Sequence, residues 1–232
     1  MKRLAVISNP QSHQNLRGPS VARDMPGCAA LAGFAEPGSQ TELLAALTGF
    51  KQQGVDIIAI NGGDGTVRDV LTALHQIDPD WRPALTIIPG GKTNLVAYDV
   101  GSVTHGQVGL RQILDAANKG QLDRNRVSRP VLDITRADGA GPPICGMFFG
   151  VGAFSRGTEL AQTEANAFGI YHGLAVAWTI ASMIIRVIRG RAGENSPVTL
   201  AADGNEIYEG EQFIMLATGL QRIIMGLNPF WG

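Results

Sequence analysis

Cysteine is nearly absent from this chain, and the two residues present, Cys28 and Cys145, stand alone. They are too few and too scattered for a disulfide framework or a zinc site on spacing alone. The four histidines, His13, His75, His105 and His172, show no ligand spacing, which argues against a histidine-rich metal centre. Charge of one sign is missing too. The formal net charge is −1 and no Lys/Arg tract occurs, so nothing electrostatic favours nucleic acid. A secretory leader is not evident: Met1-Lys-Arg-Leu-Ala-Val-Ile-Ser-Asn-Pro carries only a short apolar run with no small-residue cleavage site behind it. A clean run of about 20 residues without polar or charged interruption is also lacking. Residues 172–188 come nearest, interrupted by His172, Thr179, Ser182 and Arg186. They read as a helix docked in a hydrophobic groove, with membrane contact as the alternative. Arg186, Arg189 and Arg191 would favour the C-terminus of that helix and could meet acidic head groups. These absences imply a reducing, cytoplasmic compartment.

What the chain does have is apolar bulk and two glycine-rich turns. At 232 residues and 44% hydrophobic content it can bury a core, in one or two domains. Residues 57–60 form a β-branched run suited to a strand buried on both faces. The run breaks at Gly62-Gly63-Asp64-Gly65-Thr66, and helical spacing resumes at Val67, Val70, Leu71 and Leu74. A second copy of this grammar follows: Leu85-Thr-Ile-Ile, then Pro89-Gly90-Gly91-Lys92-Thr93-Asn94, then Leu95-Val-Ala. Two such turns at the carboxyl ends of neighbouring parallel strands make one crevice, the place where open α/β sheets bind ligands. Glycine lets backbone N–H groups approach an anion, and a helix start adds partial positive charge. A phosphate-bearing ligand suits that crevice. No complete Gly-x-Gly-x-x-Gly is present, and Thr86 stands where a Walker A loop needs glycine.

In chain order, residues 4–7 read as a strand ended by Ser8-Asn9-Pro10. Asn9 is either a turn residue or an amide aimed at a nucleotide. A second strand is expected near residues 30–34, and Ser39 with Glu42 marks a helix start. The alternation of strand and helix predicts a parallel, three-layer, Rossmann-like α/β domain. Helical spacing returns at Val108, Leu110, Ile113, Leu114 and Ala117. Composition then shifts, which places a boundary near Leu122: residues 1–122 form the nucleotide-binding α/β domain and 123–232 a β-rich, sandwich-like second domain. Its strands are expected at residues 130–135, from Cys145 to Phe154, at 198–202, at 206–208 and at 212–218, with Asp203-Gly204 as a hairpin turn.

The set Asn9-Pro10, Gly62-Gly-Asp-Gly-Thr-Val and Pro89-x-Gly91-x-x-Asn94 with Ala97 resembles the diacylglycerol kinase catalytic-domain family, which is related to NAD kinases. Val131-Leu-Asp-Ile, Phe149-Gly-Val-Gly-Ala, Gly169-Ile-Tyr171 and Asp203-Gly204 extend the likeness into the second domain. The resemblance implies ATP binding and phosphoryl transfer to the hydroxyl of diacylglycerol or a related lipid alcohol, with Mg²⁺, at transient contact with the inner membrane surface. Carried over by position, Asn9, Gly62, Gly63, Gly65, Thr66, Gly91, Lys92 and Asn94 would line the ATP site, Thr41 joining on a weaker match. Asp64 would be the catalytic carboxylate, through Mg²⁺–ATP handling or activation of the acceptor. The bland alternative has Asp64 capping the helix that begins near Thr66. Metal ligands are not assigned.

Three departures stand out. Ser12 is followed by His13 where the family has Ser-Gly. Lys92 and Leu95 replace a threonine and an aspartate in the second loop, Lys92 supplying a point charge for phosphate. The last residues, Asn228-Pro-Phe-Trp-Gly232, stand where the family continues into further strands and a late Asp-Gly-Glu, so the second domain is expected to be incomplete. Open strand edges there could pair two chains into a homodimer. Two alternatives to the lipid kinase stay open: a nucleotide- or lipid-binding protein of the same fold without kinase activity, and a soluble NAD kinase-type enzyme.

Overall fold

The computed structural model describes residues 2–16, 31–136, 138–152, 196–212 and 214–222. The apolar residues 172–188, the arginines that follow, residues 169–171 and 228–232, and Cys28 lie outside the described residues. Contacts divide the chain into two units. One runs to Met147 and takes up the chain again from Gly219; the other spans Phe148–Thr218.

The first unit is built on four parallel strands: β1 (Leu4–Ser8), β2 (Leu31–Ala35), β3 (Ile57–Gly62) and β4 (Ala84–Pro89), in the order β2-β1-β3-β4. Every residue of β1 and β3 is buried, which explains why their sequences are apolar runs without alternation. Residues still alternate between faces. Leu4, Val6, Ile57, Ala59 and Ile88 pack with Leu110, Leu114 and Ala117 of helix α4 (Gly106–Asn118). The residues between them face the other way. Helices α1 (Gln40–Gln52) and α2 (Asp64–Ile77) cross between parallel strands and pack on each other; right-handed crossovers put both on that opposite face. The expected three layers are present.

Local chemistry sets the helix ends. Ser39 caps α1 by accepting from the Glu42 N–H at 3.2 Å, and the Glu42 carboxylate reaches back to the Gly38 N–H at 2.8 Å. At the other end Gly54, at φ 66°, allows the Val55 N–H to return to the Phe50 carbonyl and its own to that of Lys51. Lys51 then pairs with Asp78, just past α2, at 2.6 Å.

A short helix, α3 (Leu95–Asp99), follows the second glycine loop. Its last residue, Asp99, is fully buried and held by Arg129 at 2.6 Å. The same carboxylate accepts from the backbone N–H groups of Gln221 and Arg222 at 2.9 and 2.7 Å. It therefore fastens the returning chain to the first unit. Strands β5 (Leu132–Ile134) and β6 (Ile144–Gly146) form an antiparallel pair in this unit, with β6 against α2.

In the second unit β7 (Phe148–Gly152) pairs antiparallel with β10 (Ile214–Thr218). Strands β8 (Ser196–Ala202) and β9 (Asn205–Gln212) form the expected hairpin. Asp203 and Gly204 turn it at φ 51° and 78°, the two positive values a tight right-twisted hairpin needs. The single strand expected from Cys145 to Phe154 is divided. Met147 interrupts it, and β6 and β7 take different partners.

Candidate phosphate-binding site

The sheet register sets the two glycine loops side by side. Ser8 lies level with Asn61, and Gly62 with Pro89, so β1, β3 and β4 end together. The loops then touch. A Cβ on Gly63 would stand 2.8 Å from the Gly91 Cα, and one on Gly91 2.7 Å from the Gly63 Cα. A Cβ on Gly62 would meet the Thr66 hydroxyl at 2.5 Å. These three glycines are required by backbone meeting backbone or side chain. Gly65 differs: nothing lies within 4 Å of the Cβ direction, so it faces open space.

Asp64 is where sequence reasoning needed the fold. Its residue begins α2, with Gly63 as N-cap, so the helix starts two residues before Thr66. The carboxylate does not cap that helix. It crosses to the second loop, where its two oxygens accept from the N–H groups of Leu95 and Val96 at 3.0 and 2.9 Å. It thus caps α3, favourably placed against that helix dipole. The loop it holds is closed by Asn94, in the left-handed region at φ 55°. The Asn94 amide accepts from the Gly91 N–H at 2.8 Å and donates to the Gly91 carbonyl at 2.9 Å.

The N-terminus of α2 is free of side-chain capping. Its first N–H groups therefore point outward with the partial positive charge of a 14-residue helix behind them. Beside it is a hollow of about 510 Å³ whose lining includes Asn9, Ser12, Gly65, Thr66, Asp69 and Lys92. A second hollow of about 200 Å³ shares Asn9, Gln11, Thr66 and Asp69 with it and reaches Ser39 and Gln40. Asn9 donates to the Thr66 hydroxyl at 2.9 Å, tying the end of β1 to α2. The Ser12 hydroxyl is buried and has no hydrogen-bond partner among the described residues, and Ser12 is one of the residues that line this hollow. A buried hydroxyl left unpaired costs free energy that a ligand oxygen would recover.

Of the residues singled out by sequence, Asn9, Gly63, Gly65, Thr66, Gly91 and Lys92 come together around the larger hollow. Gly62 and Asn94 support it from behind by shaping the loops. Thr41 lies exposed on the first turn of α1 and lines neither hollow. Sequence reasoning missed Asp69 and Ser12. Asp69 could have been found, since it falls three residues after Thr66 and four after Gly65, on one face of the helix. It pairs with its exposed neighbour Arg68 at 2.7 Å. Ser12 lies in a loop with no periodicity to mark it.

Known proteins resemble this chain in sequence or in fold. The family model of the diacylglycerol kinase catalytic domain matches residues 3–127. Over 89 residues the chain is 35% identical to a protein named probable lipid kinase YegS in Escherichia fergusonii, and equally to one of that name in Shigella flexneri. Those matches cover 38% of this chain and 29% of the relatives' length. Among solved structures, a putative diacylglycerol kinase from Bacillus anthracis str. Sterne superposes with a TM-score of 0.55 at 23% identity, covering 96% of this chain and 68% of that one. A second, described as a diacylglycerol kinase from the same organism, gives 0.52 at 21%, covering 96% and 66%. These two likenesses concern the fold. The match over residues 3–127 takes in both glycine loops, and the chain belongs to the diacylglycerol kinase catalytic-domain family.

Proposed function

We propose that this protein is an ATP-dependent lipid kinase that passes the γ-phosphoryl group to the hydroxyl of diacylglycerol or a related lipid alcohol. The observation that carries the reading is the convergence on one hollow of an uncapped helix start, a lysine and an unpartnered buried hydroxyl. Among the described residues each is a donor without an acceptor, which is what polyphosphate supplies. In this reading Gly65 and Thr66 offer backbone N–H groups to the phosphates, Ser12 and Lys92 hold phosphate oxygens, and Asn9 fixes Thr66. Nucleotide binding belongs to residues 1–122 and lipid recognition to the rest, at the membrane surface.

Phosphoryl transfer depends on positioning and charge neutralisation, and Mg²⁺ bound with ATP contributes the latter. Asp69 is a carboxylate on the hollow, and its surface pairing with Arg68 is weak enough to give up. Asp64 keeps the second lone pair of each oxygen after accepting from Leu95 and Val96. We assign Asp64 the catalytic part, by holding the second loop in place and by handling the metal-bound phosphates. One observation favours a second reading, nucleotide binding without turnover: both Asp64 oxygens already have partners. The test is transfer of labelled phosphate from Mg²⁺–ATP to a lipid extract in detergent micelles. A labelled lipid that Asp64→Asn abolishes supports the kinase. Binding of ATP with no labelled product selects the second reading, and labelled product from NAD without micelles selects an NAD kinase-type enzyme.

A further inference from the structure

At the far end of α2 three side chains of different chemistry meet. His75 Nε2 lies 3.5 Å from Asp133 Oδ2. The Cys145 thiol joins them, the three ligating atoms all falling within 4.8 Å of one another. We propose that His75, Asp133 and Cys145 bind a thiophilic divalent cation, zinc above all, that fastens the last turn of α2 to the β5–β6 pair.

The three residues are 58 and 12 positions apart in sequence, which is why ligand spacing gave no sign of them. The fold assembles them by two local rules. Asp133 and Cys145 are directly opposed in the antiparallel register of β5 and β6, so their side chains stand on one face of the pair. Thr72, three residues before His75 on α2, accepts from the Cys145 N–H at 3.0 Å and donates to the Cys145 carbonyl at 3.3 Å. That pair of hydrogen bonds between helix and strand fixes the cysteine backbone one turn from the imidazole. Ligands therefore come from three regular elements, which position side chains better than loops do.

Zinc holds sulfur at about 2.3 Å and nitrogen or oxygen at about 2.0–2.2 Å, so tetrahedral ligand atoms stand about 3.3–3.7 Å apart. The His75–Asp133 separation is already there. Closing on the sulfur needs a shift of about 1 Å, and His75 and Asp133, with side chains 36% and 47% exposed, are free to turn. Cys145 is 4% exposed, so the buried side of the ion is sulfur and the exposed side leaves a position for water. A histidine–carboxylate pair alone would account for two of the three groups. It gives no reason for a thiol in the same cluster. Sulfur with imidazole selects zinc over magnesium or calcium. At 1.5 Å per residue the cluster stands about 16 Å along α2 from Asp64, so it is separate from the glycine loops.

The test uses the whole chain, stripped with a chelator. Zinc is titrated by calorimetry and cobalt(II) by absorption, where a thiolate ligand gives a sulfur-to-metal charge-transfer band. The expected result is one equivalent of zinc, a cobalt band lost in Cys145→Ser and kept in Cys28→Ser, and a higher melting temperature with zinc. His75→Ala, at a half-buried position, should weaken zinc beyond the about 10–100-fold that loss of a mere supporting group costs. The proposal is overturned if the stripped protein takes up no zinc, or if His75→Ala and Cys145→Ser, shown folded by circular dichroism, bind it as tightly as the parent.

Discussion

Gly91 and Gly65 look alike in sequence, each in a glycine-rich loop after a strand, yet the structure gives them opposite surroundings. A methyl at Gly91 would lie 2.7 Å from the Gly63 Cα and 3.1 Å from the Asn94 amide oxygen. Carbon atoms prefer about 3.5–4.0 Å, so the shortfall against Gly63 is about 1 Å. The atom in the way is backbone and cannot rotate aside. Overpacking of this kind costs about 1–3 kcal/mol. Gly91→Ala should therefore lower the melting temperature by about 2–4 °C for each kcal/mol in a chain of this size. Gly65→Ala meets nothing within 4 Å and lies in the first turn of α2. Reducing the freedom of the unfolded chain there stabilises by about 0.4–1 kcal/mol. Its methyl nevertheless projects at the hollow, so ATP should bind more weakly to a more stable protein. Urea denaturation followed by circular dichroism measures the first effect and calorimetric titration the second. The reasoning is refuted if Gly91→Ala is as stable as the parent, or if the two variants lose stability equally.

Two further outcomes follow from the charged groups. Arg129→Met leaves the fully buried Asp99 without its cation and should cost about 3–5 kcal/mol in urea denaturation. For Asp78, the hydrogen bond from Lys51, then that from the Asp80 N–H, hold the carboxyl below its ordinary 3.8. A depressed value means the stabilisation is present above 3.8 and disappears as pH falls through the folded-state value. The stability gap between the parent and Asp78→Asn should be constant near neutral pH and close in acid; a gap that persists in strong acid would contradict this.

Much of the first unit could be read from residues because local and tertiary signals agree there. The β-branched run at residues 57–60, the Ser39–Glu42 cap and the spacing along α4 each have one cheap structural answer. The hairpin at Asp203-Gly204 was legible for the same reason: few residues tolerate two successive positive φ values. What could not be read depends on contacts between distant segments. The Asp64 side chain reaches across to Leu95, thirty-one residues on, and only the fixed register of β3 and β4 brings that helix start within reach. In sequence the glycines read as openings for an anion, whereas Gly62, Gly63 and Gly91 have no room for a Cβ, Gly63 and Gly91 pressing on one another and Gly62 on Thr66. Met147 divides one apparent strand into two because pairing partners, not propensity, decide where a strand ends. Asp99 and Arg129 carried no motif at all, since burial of an ion pair is a property of the packed core.

The central claim is that the hollow beside the start of α2 holds the phosphates of ATP, with Lys92 as its cation. The measurement is the affinity of the parent and of Lys92→Met for Mg²⁺–ATP by calorimetry, at one fixed salt concentration. Loss of a charge-assisted contact of about 1.5–3 kcal/mol should weaken binding by about 10–150-fold while the melting temperature stays within about a degree. Equal affinity for the two proteins, or no binding by the parent, would contradict the account.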